Sequence, residues 1–274
     1  MGTPEQIPLF DSRLPGLNKF ILKLVHEYKG GKIRTWDDLD ERVRTFFTPD
    51  QMDSVESVAP GWRKMSSYVD GMTLTHVICV FLGLFMLPEF QSMSQEQQQL
   101  SKWIVLFHDV EKEIKKGERD PKHGFRSAVI TARRLPNLGF AVTAEYKNLI
   151  TSWSEFTYSA IKISADYPEP IQNNEKLPGI LAGIEGMFGE DTPAALIVKG
   201  VLLHMSINVV SDWPQAAPLI EEEIKRYVKS NLAPLLKVMM LADNEGWSIF
   251  YPDREQHRNE TLEVFQRIEK IISS

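Results

Sequence analysis

The chain has 274 residues, of which 43% are hydrophobic and 10% aromatic, so it can bury a large core as one domain. Its formal charge of −6, with lysines and arginines scattered along the sequence, excludes the basic stripe that binds a nucleic-acid backbone. The single cysteine, Cys79, cannot form an internal disulfide, which favours a reducing compartment. Residues 1–6 lack the features of a secretion signal, and the longest apolar stretch, residues 77–88, is shorter than the ~20 residues that span a bilayer. We therefore expect a cytoplasmic protein with neither a nucleic-acid nor a membrane partner.

Helical periodicity dominates the chain and predicts an all-α fold. Near the N-terminus, the i, i+3, i+4 spacing of apolar residues within residues 17–25 predicts an amphipathic helix. Thr35 and Thr48, each followed by acidic residues, are typical N-caps of two short helices that end before Pro60. We expect residues 1–70 to form a helical layer against the rest of the chain.

The middle of the chain alternates apolar helices with polar connections. Residues 72–87 predict the first core helix, and residues 91–99 a polar connection. The next helix leads into His108 and Asp109, and residues 115–121 predict a solvated loop. A further helix opens at His123.

The second half is predicted to begin with an insertion at residues 167–192, which is rich in Pro, Gly and Asn and is a candidate lid. Thr192 and Pro193 are typical of the start of a helix, which would carry His204. We expect one domain over residues 1–274, with a metal-binding core at 71–246 and a C-terminal helix at 247–274.

Polar side chains that commonly bind metals interrupt several of these apolar segments. His76 lies in one such run, His108 and Asp109 end another, and His204 and Asp243 occupy two more. An unpaired carboxylate in an apolar setting loses several kcal/mol of solvation, so a buried aspartate is normally paired or metal-bound. A histidine alone would more often be a hydrogen-bonded core residue, but the His108–Asp109 doublet and Asp243 together favour a shared metal site.

These residues, with one more histidine, occur in an order that resembles the signature of the HD superfamily of metal-dependent phosphohydrolases. The ordered set is His76, His108, Asp109, His123, His204 and Asp243. The resemblance covers residues 73–246 and is most specific at residues 108–112 and 120–128. One departure is Glu111, which stands where the family usually has a glycine.

The resemblance implies an HD-domain-like helical bundle in which His76, His108, Asp109 and Asp243 hold a divalent metal. His123 and His204 match positions that serve a second ion in the two-metal branch of the superfamily, with Asp109 as the bridging ligand. Outside that context, His123 could be an exposed residue at a helix start, and His204 a core histidine bonded to a backbone carbonyl. Mixed imidazole and carboxylate donors favour Mn or Fe, with Co, Ni and Zn as alternatives.

Two cations near these ligands could contact a phosphate. The helix that leads into His108 and Asp109 is expected to continue to Lys112, so that Asp109 and Lys112 lie on neighbouring turns of one helix face. Lys112 is expected to lie over the phosphate; its alternative is a surface ion pair worth a few tenths of a kcal/mol. Arg126 can make bidentate contact with a phosphate, or it could form a salt bridge to Glu111 or Glu113.

The predicted helix that carries His204 would also align Asn208 and Asp212 on one face, since each follows four residues after the last. Such a stripe suggests a substrate-binding pocket wall. A capping role for Asp212 remains equally open.

We therefore predict a phosphohydrolase in which metal-activated water attacks a nucleotide or another small phosphorylated metabolite, with Asp109 and Lys112 as catalytic residues. A homo-oligomer is compatible with the sequence. Phosphate-loop, dinucleotide-fingerprint and nucleophile-elbow motifs are absent from it. Two alternatives stay open: a di-iron HD-type oxygenase, and a non-catalytic metal- or nucleotide-binding protein, which Glu111 favours.

Overall fold

The protein is described by a computed structural model. The described residues are 7–67, 72–113, 120, 123–160, 176–207 and 219–274. Within these ranges the chain forms fifteen α-helices and one 3-10 turn, and no β-strand occurs, which confirms the predicted all-α class.

The helices fall into an N-terminal set and a second set that forms the core and the C-terminus. The N-terminal set is α1 (Phe10–Arg13), α2 (Pro15–Lys29), α3 (Trp36–Phe46), α4 (Pro49–Val58) and α5 (Trp62–Ser67). The second set is α6 (Met72–Met86), α7 (Pro88–Gln91), α8 (Gln95–Phe107), α9 (His123–Arg134), α10 (Tyr146–Tyr158), α11 (Leu177–Phe188), α12 (Pro193–Leu203), α13 (Glu221–Tyr227), α14 (Ala233–Ser248) and α15 (Arg254–Ser273).

The N-terminal helices begin where the sequence predicts. The Thr35 hydroxyl accepts a hydrogen bond from the backbone N–H of Asp38, whose carboxylate accepts one from the N–H of Thr35, so α3 starts with a capping box. The Thr48 hydroxyl accepts a hydrogen bond from the backbone N–H of Gln51 and so caps α4. Helices α2, α3 and α5 pack against α6, which places this layer beside the core.

The core is built around α6 and α14, which make the most extensive helix pair in the described chain. Glycines let them approach closely: a Cβ on Gly83 would lie 2.4 Å from the Cβ of Glu245, and one on Gly246 would lie 2.4 Å from Cγ2 of Val80. Helix α12 packs against α8 and α9 in the same core. Close packing fixes these helices relative to one another, which a metal site on several helices requires.

Three predicted elements differ in the structure. The polar connection at residues 91–99 was wrong, because Ser94 forms a capping box with Gln97 and α8 begins at Gln95. Helix α8 ends at Phe107 and α12 at Leu203, so the helices stop one residue before the metal-ligand types that they were predicted to carry.

The predicted insertion is only partly described, since residues 161–175 lie outside the described ranges. Its helix, α11, begins at Leu177 and buries Ile180 and Ile184 while packing against α10 and α12. The role of residues 167–175 as a lid stays a prediction. No helix in the described part of the chain combines the length and the apolarity needed to cross a bilayer.

Candidate metal centre

All six predicted metal ligands converge in the core, and four of them lie at or just beyond the end of a helix. His76 is on α6, His108 and Asp109 directly follow α8, His123 opens α9, His204 follows α12, and Asp243 is on α14. They form two groups of three: His76, His108 and Asp243 in the first group, and Asp109, His123 and His204 in the second group. Within each group the candidate donor atoms lie within 4.8 Å of one another, so each group could hold one metal ion.

Asp109 belongs to the second group, and its carboxylate also faces the first group. Its Oδ2 is 3.6 Å from Nε2 of His76 and 3.5 Å from Nε2 of His108, whereas its Oδ1 is 2.9 Å from Nε2 of His123. The side chain is 1% exposed. One carboxylate oxygen is therefore directed to each group, which is the arrangement that a bridging ligand requires.

Two of the histidines are oriented by the C-terminal ends of their helices. The last carbonyls of a helix have no intrahelical partner. His108 donates from Nδ1 to the carbonyl oxygen of Val105 at 2.8 Å, and His204 donates from Nδ1 to that of Val201 at 2.6 Å. In both cases a ligand-type side chain satisfies a free carbonyl of the last turn, and its Nε2 is turned towards the centre.

The other two histidines also donate a hydrogen bond from Nδ1, in their case to carbonyl oxygens that do not belong to the last turn of a preceding helix. Nδ1 of His76 donates to the carbonyl of Gly246 at 3.0 Å, and Nδ1 of His123 donates to the carbonyl of Asp120. A carbonyl can only accept, so the proton of each neutral imidazole sits on Nδ1 and the lone pair sits on Nε2. Histidines that bind metals are typically held by such a bond on the second nitrogen.

Several inward-facing atoms are left without a hydrogen-bond donor. Nε2 of His108 and Oδ1 of Asp109 are buried and make no hydrogen bond within the described residues, although Oδ1 lies close to His123. Nε2 of His123 and Nε2 of His204 are 2.9 Å apart, and their Nδ1 bonds make both of them acceptors. Opposed lone pairs and orphaned acceptors are costly in a buried site, and a cation between them would satisfy all of them.

The electrostatics of the site favour ionised carboxylates and neutral imidazoles. Burial alone would raise the pKa of Asp109, but a positive charge on His108, the ammonium of Lys112 and a positive charge on His123 outweigh it and hold the pKa well below its usual range. The ammonium of Lys112 acts in this way even when the rings are neutral. The pKa of Asp243 is likewise lowered against its burial, mainly by the adjacent ring of His76, whose Nε2 lies 3.1 Å from Oδ1 of Asp243. Both carboxylates therefore stay charged and available to a metal ion.

Burial has the opposite effect on two of the imidazoles. It lowers the pKa of His108, and it lowers the pKa of His204 to about 3. Both rings are neutral near pH 7, which is the state that coordinates a metal.

Lys112 is the cation closest to the Asp109 carboxylate in the described structure. Its Nζ donates to Oδ2 of Asp109 at 2.7 Å, so the predicted contact is present. The helical placement predicted for this pair was wrong, because residues 108–111 form turns after α8. Burial would lower the pKa of Lys112, but Asp109 and Asp243 outweigh it and raise the pKa, so the ammonium stays protonated. With a nearly buried carboxylate as partner, this is not a solvent-screened surface pair.

Arg126 holds the segment in front of His123. It donates to the carbonyl oxygen of Glu111 at 2.9 Å and to the carboxylate of Asp120. Asp120 was predicted to lie in a solvated loop, but its side chain is 8% exposed and its carbonyl accepts from His123. Sequence reasoning missed this residue, although an Asp–Pro pair just before a helix start was a signal for it.

The alternative role that the sequence left open for Arg126, a salt bridge to Glu111 or Glu113, is not present in the described structure. Those carboxylates lie 3.4 Å and 3.0 Å from Nζ of Lys64 instead. The reason is that the turn after α8 directs both glutamates towards α5. Whether Arg126 also binds substrate stays a prediction.

Two glycines beside the ligands were also missed by the sequence reasoning. A Cβ on Gly246 would lie 2.9 Å from Cε1 of His76, and one on Gly124 would lie 3.2 Å from the carbonyl oxygen of Leu202 and 3.5 Å from Cε1 of His204. These positions let α14 approach the ring of His76, and let α9 approach the end of α12. The only sequence signal was a glycine within a helix close to a ligand-type residue.

Of the remaining predicted residues, Asn208 and Asp212 lie outside the described ranges. The prediction that one continuous helix aligns them with His204 was wrong, because α12 ends at Leu203 and the described residues 204–207 are not helical. A further histidine, His257, lies on α15 away from the six candidate ligands, and its ring nitrogens are 3.1 Å from Asp253 and 3.4 Å from Glu260.

No protein-family model matches the chain, and no curated protein or solved structure matches it either. The two groups of donors and their fixed imidazoles are therefore the observations on which a functional conclusion must rest.

Proposed function

We propose that this protein is a metal-dependent phosphohydrolase of the HD type, acting on a nucleotide or another small phosphate ester. The observation that carries the proposal is the bridging position of Asp109 between two groups of donors whose imidazoles all present Nε2. Paired divalent sites of this kind suit hydrolysis of phosphate esters, because the attacking and leaving oxygens both need charge stabilisation. Bound divalent ions would polarise the phosphate and activate water for attack on phosphorus.

The residues present fit such ions by charge as well as by geometry. Asp109 and Asp243 are ionised, and Lys112 is the cation in contact with Asp109. The three charged groups therefore leave an excess of negative charge at the centre, beside four imidazole nitrogen donors. Four imidazoles and two carboxylates suit Mn, Fe, Co, Ni or Zn better than Ca, which prefers oxygen ligands throughout. We favour Mn or Fe.

The protein's own groups would then bind and orient the substrate. The ammonium of Lys112 lies beside the bridging carboxylate and would offset negative charge on the phosphate oxygens in the transition state. Asp109 and Asp243 stay deprotonated and so keep their oxygens directed into the site. Backbone carbonyls fix the imidazole rings, which limits the reorganisation needed when substrate binds.

The test compares metal content and phosphate release for the wild-type protein and two variants. Asp109→Ala removes the bridging carboxylate, and Asp50→Ala removes an exposed carboxylate at the start of α4 as a matched control. We expect the wild-type protein and Asp50→Ala to bind up to two transition-metal ions and to release phosphate, and Asp109→Ala to lose both properties. Unchanged metal content in Asp109→Ala would refute the metal site. Oxygen consumption without phosphate release by the iron-loaded protein would replace the hydrolase with the di-iron oxygenase alternative.

A further inference from the structure

A cleft of about 710 Å³ opens beside the metal centre. It is formed by α3, the start of α6, the end of α14 and the residues that follow α14. His76 and Gly246 line it, so the ring that offers Nε2 to the first group of donors also forms part of the cleft wall. A molecule with one end at the metal centre could therefore extend into this cleft.

Large aromatic side chains line the cleft. Trp36 is half-buried, whereas Trp247 and Tyr251 are 39% and 53% exposed. Two of the rings are held by aromatic neighbours: Trp36 meets the edge of Phe250 at a centroid distance of 5.5 Å, and Trp247 contacts the ring of His257 at 4.6 Å. Exposed aromatic rings that are fixed in place and grouped around a cavity are typical of a binding surface.

The charged residues of the cleft leave an excess of negative charge. Asp40 accepts hydrogen bonds from Arg44 at 2.5 Å and from Thr75 at 2.6 Å, so the arginine and this aspartate largely offset each other. Asp37 is exposed and makes no ion pair or hydrogen bond within the described residues, and Asp253 contributes a second carboxylate, whose side chain is 56% exposed. An anion such as a phosphate would be repelled from this cleft, whereas a cation would be attracted.

We propose that the aromatic cleft binds a positively charged organic group, an alkylammonium or quaternary ammonium, carried by the substrate. Cations bind over the faces of Trp and Tyr rings, and nearby carboxylates strengthen that binding. A neutral nucleobase could stack on the same rings but would not use the charges of Asp37 and Asp253. The inference rests on the proposed function for the other half of the substrate: the phosphate would lie at the metal centre and the ammonium group in the cleft.

The experiment measures binding of tetramethylammonium to the full-length, metal-free protein, with tert-butanol as a neutral probe of similar shape. Indole N–H signals in NMR spectra report on the cleft, and the variants Trp36→Phe and Trp247→Phe assign the two relevant signals. We expect tetramethylammonium to shift both signals saturably, and tert-butanol to bind at least ~5-fold more weakly. Equal binding of the two probes, or shifts confined to other tryptophans, would overturn the proposal.

Variants separate charge from packing. Asp37→Asn removes one carboxylate of the cleft, and Glu263→Gln removes an exposed carboxylate on α15 as a control. We expect Asp37→Asn to weaken the binding of tetramethylammonium about 3-fold or more and to leave the binding of tert-butanol unchanged. Glu263→Gln should bind both probes as the wild type does. Binding that does not change in Asp37→Asn would contradict the charge argument, and circular dichroism would verify that each variant is folded.

The outcome is independent of the proposed hydrolase activity. Asp109→Ala should retain tetramethylammonium binding, because the probe needs no metal ion. If the protein binds the probe here but releases no phosphate from any ester, the cleft assignment stands and the proposed function fails. If phosphate is released but tetramethylammonium does not bind, the cleft assignment fails and the proposed function stands.

Discussion

Replacement of Gly246 by alanine should damage one metal-binding group and leave the other intact. The carbonyl of Gly246 accepts from Nδ1 of His76, and its α-carbon faces the same ring. A methyl group at this position would enter the contact between α6 and α14. It would therefore move a ligand of the first group without changing any donor atom.

The size of the effect follows from the distances. The added Cβ would lie 2.4 Å from Cγ2 of Val80 and 2.9 Å from Cε1 of His76, so the closer contact is about 1 Å shorter than ordinary van der Waals contact. Overpacking of this kind costs about 1–3 kcal/mol, reduced by up to about 1 kcal/mol because alanine favours a helix over glycine. Metal ligands must be held within about 0.5 Å of their productive positions. We therefore expect the affinity of the first group for a metal ion to fall about 10-fold or more.

The assay is a titration of metal-free protein with Co²⁺, whose absorption reports on coordination at each group. Wild-type protein should show two binding events. In Gly246→Ala the event that depends on His123 and His204 should be unchanged, and the other should move to a Co²⁺ concentration about 10-fold higher or more. Gly186→Ala is the matched control, because its Cβ would meet only a terminal methyl group of Leu149, at 3.0 Å. Two unchanged binding events in Gly246→Ala would refute the link between this glycine and the position of His76.

Two further predictions concern protonation and the support of His123. Burial lowers the pKa of His204 to about 3, whereas the unfolded value is about 6.5, so its contribution to stability is complete above pH 6.5 and is lost as the pH falls towards 3. The free energy of unfolding of the metal-free protein, measured in urea, should fall between pH 7.5 and pH 5 by about 2 kcal/mol less in His204→Gln than in the wild type. The same pH dependence in both proteins would contradict this. His257→Gln serves as the control. Arg126→Met should free Asp120 and weaken metal binding by the second group several-fold, measured in the same Co²⁺ titration; unchanged metal binding with a raised KM would show instead that the arginine acts on substrate.

Five of the six candidate ligands were predictable from the sequence because they interrupt or end apolar segments, whereas His123 was indicated only by the family resemblance. A histidine or an aspartate in a buried helix needs a partner, and several such residues in one chain favour a common one. The structure brings His76 and Asp243 to within 3.1 Å of each other although 167 residues separate them. Their convergence rests on packing between α6 and α14, which local patterns indicate only through the apolar character of both helices.

The local geometry at the ligands was not predictable to the same extent. Periodicity cannot locate the end of a helix within a residue or two, so His108 and His204 were placed within helices that end one residue earlier. Asp120 and Gly246 were missed because their roles depend on a backbone carbonyl and on the absence of a Cβ. Neither property follows from residue type or spacing, and both become visible only when helices distant in sequence are in contact.

Two of the candidate ligands, His108 and His204, lie at the C-terminal ends of helices, and this position connects the way a helix ends with metal binding. At the ends of α8 and α12, carbonyls without intrahelical partners accept from Nδ1 of His108 and His204, so the fold itself fixes which nitrogen carries the proton. The same arrangement leaves Nε2 of His204 opposite Nε2 of His123, and Nε2 of His108 without a partner. Without a cation these buried acceptors destabilise the core, and with one they become ligands. Metal binding and stability of the core should therefore be linked, because an ion that binds only the folded state stabilises it.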